Sequence, residues 1–114
     1  PSGVILWFFV YLQHVVVVSV LIVATLIVHE SNKYYNRLIW MNPNGQFQFY
    51  DKRHLFSFAG EDLHYSRGNR LLLTKIAEWR FRPLICYDLR FPVWSRNEYD
   101  TQTKSSKYDL LVYV

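Results

Sequence analysis

One thiol, one amine and one carboxylate are the groups in this sequence best placed to do chemistry together. Cys86 is the sole cysteine of the 114 residues. It follows the apolar stretch Pro83-Leu84-Ile85 and precedes the polar Tyr87-Asp88-Leu89-Arg90. A strand that ends this way, passing into a turn or helix, leaves its thiol at a sheet rim, where backbone amides favour the nucleophilic thiolate. The same position also suits a small buried core residue, the common fate of a free cysteine. Lys52 closes the alternating stretch Gln46–Asp51, so it too falls at a sheet rim. An ammonium held there can stabilise the oxyanion of a tetrahedral intermediate, whereas most lysines are solvated surface groups. Glu61 follows Gly60 in the next loop, where a carboxylate could orient Lys52, relay a proton or simply face solvent.

Other chemistries find less support. His54 and His64 are ten residues apart, without the helical spacing or the Cys and acidic partners of a zinc motif. Both read as structural, and neither a metal nor a cofactor is expected. Gly45, Gly60 and Gly68 are isolated turn glycines rather than a phosphate-binding loop. No Gly-x-Ser-x-Gly elbow is present. The formal net charge of +4 comes from Lys and Arg interleaved with Asp and Glu between Lys33 and Lys107, not from a concentrated basic face, so nucleic acid is not an expected partner.

These groups need elements to position them, and the composition is sufficient to build them. Hydrophobic residues make up 51% and aromatic residues 18% of the chain, which excludes a disordered polypeptide and suits one small domain. A single cysteine permits no internal disulfide and points to a reducing compartment such as the cytoplasm. Tyr34–Met41 reads as a strand, Asn42-Pro43-Asn44-Gly45 as a turn and Gln46–Tyr50 as a half-buried strand of period two; together they predict a β-hairpin. Asp51–Arg67 reads as a loop with at most a short helix. Leu71–Leu73 and Phe81–Tyr87 predict two more strands, joined by a turn near Ala77-Glu78-Trp79. Pro92–Asn97 could open a helix, with proline near its start. Asp100–Lys107 reads as a loop and Tyr108–Val114 as a buried strand. Val4–Val28 is apolar except for Gln13, His14, Ser19 and Thr25, and is long enough to span a bilayer. Its β-branched runs, its central Gln13-His14 and the lack of a basic flank favour buried core instead.

Three stretches resemble the nitrilase superfamily of carbon–nitrogen hydrolases, in that family's order. Tyr50-Asp51-Lys52-Arg53-His54-Leu55-Phe56 resembles its lysine motif, and Gly60-Glu61 with Tyr65-Ser66-Arg67-Gly68 its second-glutamate loop. Cys86 to Asn97 (Cys-Tyr-Asp-Leu-Arg-Phe-Pro-Val-Trp-Ser-Arg-Asn) resembles its nucleophile segment. Tyr34-Tyr35-Asn36-Arg37 and the Asn-Pro-Asn-Gly turn look like the bacterial omega-amidase branch, which hydrolyses side-chain amides of short dicarboxylic acids such as 2-oxoglutaramate. The resemblance implies an α/β (α+β) fold, part of a four-layer α-β-β-α sandwich. It also implies a small amide substrate, dimeric full-length relatives, Cys86 as nucleophile, Lys52 as oxyanion donor and Glu61 as supporting carboxylate. Asp88 and Arg90 read as structural, paired with each other or with the sheet rim.

The resemblance runs from about Ala24 to Val114. The family's general-base glutamate belongs well upstream of the lysine, and Glu30 is too close to Lys52 to be it. The chain starts Pro-Ser-Gly without an initiator Met and stops in an apolar strand-like run, so it reads as an internal piece. On this reading residues 1–23 are an apolar segment, either buried core or membrane span, and residues 24–114 are the central part of a carbon–nitrogen hydrolase domain truncated at both ends. An incomplete site is then expected to be weakly active or inactive. The alternatives are a degenerate, non-catalytic interaction protein of the same fold and a small membrane-anchored protein.

Overall fold

The computed structural model describes residues 21–114. Most of the Val4–Val28 run, and with it the choice between buried core and membrane span, lies outside the described residues. Within them, no helix is long and apolar enough to cross a membrane, and the end of the apolar run is a strand.

Two three-stranded sheets carry the architecture. The first has the order β1 (Ile22–Glu30), β2 (Lys33–Met41), β3 (Phe47–Asp51), antiparallel throughout. Ser31 and Asn32 join β1 to β2 with φ of 50° and 60°, the positive values that a two-residue type I′ hairpin turn requires at both positions. The expected Asn42–Gly45 turn joins β2 to β3. The Asn42 amide donates to the Gln46 carbonyl at 2.8 Å, and Gly45 takes φ of 85°, open to glycine at no steric cost. As the central strand, β2 buries every residue from Arg37 to Met41. The edge strands β1 and β3 stay largely half-buried or exposed.

The second sheet has the order β4 (Thr74–Ile76), β5 (Trp79–Leu84), β8 (Leu110–Tyr113). β4 and β5 form a tight antiparallel hairpin, while β8 lies parallel to β5 with Phe81 opposite Leu110. A two-stranded ribbon, β6 (Tyr99–Asp100) and β7 (Ser105–Ser106), projects from the crossover between them. The sheets share one core: Leu38, Trp40 and Tyr50 of the first meet Leu84 and the adjoining Ile85 of the second. Trp40 lies 5.3 Å from Phe81, ring centroid to ring centroid.

The architecture is mixed α/β, as expected. The described residues supply the sheets of the expected sandwich; their helices, α1 (Glu61–His64) and α2 (Pro92–Ser95), are single turns. Four expectations need correction. The buried strand expected over Tyr108–Val114 is β8 over Leu110–Tyr113 only, and its Leu110 and Leu111 are exposed. Leu71–Leu73 is not a strand: Leu72 packs against the core without ladder pairing, and β4 starts at Thr74. The strand expected over Phe81–Tyr87 stops at Leu84, because Cys86 has φ of 42° and opens a 3₁₀ turn over Cys86–Arg90. The expected Asp100–Lys107 loop includes half of one arm of the β6–β7 ribbon (Asp100) and all of the other (Ser105–Ser106).

Candidate active site

Lys52 is held from three directions. Its amide donates to the Asn36 carbonyl at 2.9 Å, which extends the β2–β3 ladder past Asp51. Its carbonyl accepts from the Gly68 amide at 3.0 Å, so the loop that leaves β3 returns to the same residue. Its side chain runs inward until the residue is 1% exposed. There Nζ donates to both oxygens of Glu61, at 3.0 and 2.8 Å. An ammonium has three protons, and two of them are spent on Glu61. Among the described residues, the third has no hydrogen-bond acceptor.

Glu61 owes its place to Gly60, which takes φ of 76°, closes a 3₁₀ turn over Ser57–Ala59 and opens α1. Glu61 Oε2 also accepts from the Phe56 amide at 3.1 Å. With three donors on its carboxylate, Glu61 is committed to holding Lys52. Removing one member of a buried ion pair of this kind leaves an uncompensated charge and costs on the order of 3–5 kcal/mol.

Cys86 is the first residue after the end of β5 and Ile85. Its side chain is exposed, and its amide donates to the Val114 carbonyl at 2.9 Å, prolonging the β5–β8 pairing. A non-glycine residue at positive φ is locally strained, and such strain gathers at functional sites. The sharp turn lifts the thiol out of the sheet and leaves the Tyr87 amide without a backbone acceptor among the described residues.

A single carboxylate joins the cysteine turn to the lysine segment. Asp88 is fully buried. Its Oδ1 accepts from the His54 amide at 3.0 Å and lies 2.8 Å from His54 Nδ1. Its Oδ2 accepts from the Tyr50 hydroxyl at 2.7 Å and the Ile85 amide at 3.1 Å. Tyr50 in turn accepts from Trp94 Nε1 at 2.9 Å and the Arg53 amide at 3.2 Å. Burial, then the Asp88 carboxylate, push the Tyr50 phenol far above its ordinary value, so it stays a donor. Aromatic packing closes the same seam: His54 stacks on Phe91 at 3.7 Å, and Phe56 meets Tyr87 edge-on at 4.9 Å.

The structure therefore pairs Lys52 with Glu61 directly and ties Cys86 to them through Asp88 and the aromatic seam. Sequence reasoning assigned Asp88 and His54 only general structural roles and passed over Tyr50. Asp88 does not pair with Arg90, which is exposed; its carboxylate is filled by Tyr50, His54 and Ile85. The available signal was a charged residue three positions after the apolar stretch Pro83-Leu84-Ile85, together with a Tyr-x-Lys-x-His alternation over Tyr50–His54, and it does not reveal the pairing. His64 stays exposed at the end of α1. A cavity of about 500 Å³ beside β3, lined among others by Lys33, Tyr35, Phe49, Arg67 and Arg70, contains none of Lys52, Glu61 or Cys86.

Comparison with known proteins gives consistent matches. Residues 13–103 match the carbon–nitrogen hydrolase family. Over 96 residues, 84% of this chain, the sequence is 45% identical to the omega-amidase YafV of Escherichia coli (strain K12), of which it covers 35%. It is 31% identical over 77 residues to the 2-oxoglutaramate amidase of Bacillus subtilis (strain 168), covering 67% of this chain and 30% of that protein. The crystal structure of XC1258 from Xanthomonas campestris, a CN-hydrolase superfamily protein with an arsenic adduct in its active site, superposes with a TM-score of 0.78 at 40% identity, over 82% of this chain and 36% of that one. The chain spans about a third of the length of these relatives.

Proposed function

The chain belongs to the carbon–nitrogen hydrolase family, and from that membership we propose that it carries the nucleophile and oxyanion part of an omega-amidase-like site. The reaction is hydrolysis of the terminal amide of a short dicarboxylic acid, with release of ammonia. The observation that carries the reading is the buried Lys52 ammonium, oriented by both oxygens of Glu61 and left with one uncommitted proton, in a segment packed on the Cys86 turn. Likeness to the omega-amidase of Escherichia coli and the 2-oxoglutaramate amidase of Bacillus subtilis supports the substrate class.

In this reading the Cys86 thiolate attacks the amide carbonyl carbon. The free proton of Lys52 and the Tyr87 amide receive the developing oxyanion, worth roughly 3 kcal/mol per well-placed donor. The carbon–nitrogen bond then breaks as nitrogen takes a proton and leaves as ammonia, and the acyl group stays on sulfur as a thioester. Water adds to the thioester carbon, its proton passes to a base, and the carbon–sulfur bond breaks to give the carboxylic acid and restore the thiolate. The first proton step needs an acid to protonate the leaving nitrogen and the second a base to take a proton from water, roles that one carboxyl group can fill in turn. Glu61 is occupied with Lys52, Glu30 and Asp51 both pair with Arg37, and Asp88 accepts four hydrogen bonds. The 114 residues alone are therefore expected to acylate faster than they turn over.

Ammonia release from succinamate tests this. The expected trace is a burst stoichiometric with protein and a thioester mass on Cys86, both abolished by Cys86→Ala. No acylation of the folded chain would refute the nucleophile assignment. Sustained turnover at about 1 per second or more, lost in Cys86→Ala, would mean that a sufficient base lies within these residues.

A further inference from the structure

Asp88 receives donors from two parts of the chain that the amidase reading needs in register. On Oδ1 sits the His54 amide, two residues beyond Lys52, and on Oδ2 sits the Ile85 amide, one residue before Cys86. A carboxylate is small, so these two amide nitrogens lie within about 8 Å of one another. The side chains of His54 and Tyr50 supply one further hydrogen bond to each oxygen. Tyr50 already accepts from Trp94 and Arg53, so its own proton is directed to Asp88. The four acceptor sites of one ionised carboxylate are thereby filled, in a residue that is 0% exposed.

We propose that Asp88 is a positioning residue of the amidase site: its carboxylate clamps the Cys86 turn to the Lys52 segment and so sets the nucleophile against the oxyanion donor. The proposal rests on the reading of Cys86 and Lys52 as partners. It goes beyond that reading in naming a buried group that holds their two segments in register. Cys86 cannot set its own position, because its side chain is exposed and its left-handed φ must be imposed from outside. The hydrogen bonds that two successive amides donate at the start of the turn, Ile85 to the Asp88 carboxylate and Cys86 to the Val114 carbonyl, supply that constraint.

The geometry demands a carboxylate rather than merely a polar side chain. Asparagine has the same shape, but one of its two heads is a donor. Since a backbone N–H faces each oxygen of Asp88, either amide orientation sets an NH₂ against an N–H. Asp88→Asn should therefore release one side of the clamp whichever way it turns.

The test uses the full chain and its single thiol. Iodoacetamide alkylation of Cys86 is timed by intact mass, in native buffer and in urea, while circular dichroism follows cooperative unfolding. Wild type should react faster native than unfolded. Asp88→Asn, still folded, should lose most of that ratio, at least about tenfold, and its succinamate burst should slow in rate constant without a matching rise in the half-saturating concentration. Tyr50→Phe removes a side-chain donor but keeps both backbone clamps, and should lower the ratio several-fold less than Asp88→Asn. A folded Asp88→Asn chain that reacts like wild type overturns the proposal, as do equal losses in the two variants. Should Asp88→Asn not fold, hydrogen exchange of wild type decides: the His54 and Ile85 amides should be protected to the same degree, and unequal protection overturns the clamp. A wild-type thiol no faster native than unfolded would instead remove the underlying nucleophile reading, and the proposal with it.

Discussion

Cys86 holds φ at 42°, and this one angle links the stability of the chain to its chemistry. An L-residue in the left-handed region costs roughly 1–2 kcal/mol, which glycine does not incur. The Cys86 side chain is exposed, so little packing is lost with it. Cys86→Gly should therefore be more stable than Cys86→Ala by about 1 kcal/mol, read as a higher urea midpoint; the reverse order would show that the turn is not left-handed in solution. Glu61 gives a second prediction at this scale. Glu61→Gln leaves the Lys52 ammonium buried with a neutral partner, so unfolding should become easier by about 3 kcal/mol and the succinamate burst should slow with it. Calorimetry and the burst rate check the two effects separately. The sequence offers Cys86, Lys52 and Glu61 as candidates because each stands at the end of a local pattern: an apolar run, an alternating strand, a turn glycine. Asp88, Tyr50 and His54 could not, because their pairing closes gaps of 38 and 34 residues and no local pattern encodes such a contact.

Among the elements, β2, β3 and the turn between them were legible because strand alternation and turn chemistry are written in adjacent residues. The β1–β2 hairpin was not, since Ser31-Asn32 is a weak turn signal after a long apolar run. Leu71–Leu73 misled for a related reason: apolar residues mark burial, and Leu72 is buried against the core without being paired. The end of β5 at Leu84 follows from the backbone at Cys86, and the parallel partner of β5 starts 26 residues beyond that end. The most constrained joint is at Gly68. A Cβ there would stand 2.1 Å from the Asp51 carbonyl oxygen, and backbone cannot give way as a side chain does. Gly68→Ala should cost about 3 kcal/mol, measured by thermal unfolding. The Gly68 amide also holds the Lys52 carbonyl, so the surviving folded chain should acylate more slowly as well; a fully stable, fully reactive variant would contradict the close approach.

At the scale of the whole molecule, the second sheet depends on charges that the first does not share. Arg80 holds the Asp109 carboxyl down at about 2 through hydrogen bonds from its side chain and its amide, and so ties the start of β5 to the approach to β8. Lys107 lowers the Glu98 carboxyl in the same crossover, and the Gln102 amide lowers that of Asp100. A carboxyl held below its unfolded value of 3.8 contributes its full stability above that pH and loses it as pH falls through the folded value. Acid should thus loosen the crossover between pH about 4 and 2. Asp109→Asn should be less stable than wild type at neutral pH and show a flatter loss across that window, followed by circular dichroism; an unchanged acid profile would count against the pair. The parallel pairing of β5 with β8 has one further consequence, for the order of assembly. The nucleophile turn sits at the beginning of that crossover, yet its first amide is fastened to Val114. Contacts so distant in sequence form slowly, after local hairpins have closed. The hairpins β1–β2, β2–β3 and β4–β5 are therefore expected to precede the β5–β8 pairing, and alkylation of Cys86 during refolding should report the moment at which β8 docks.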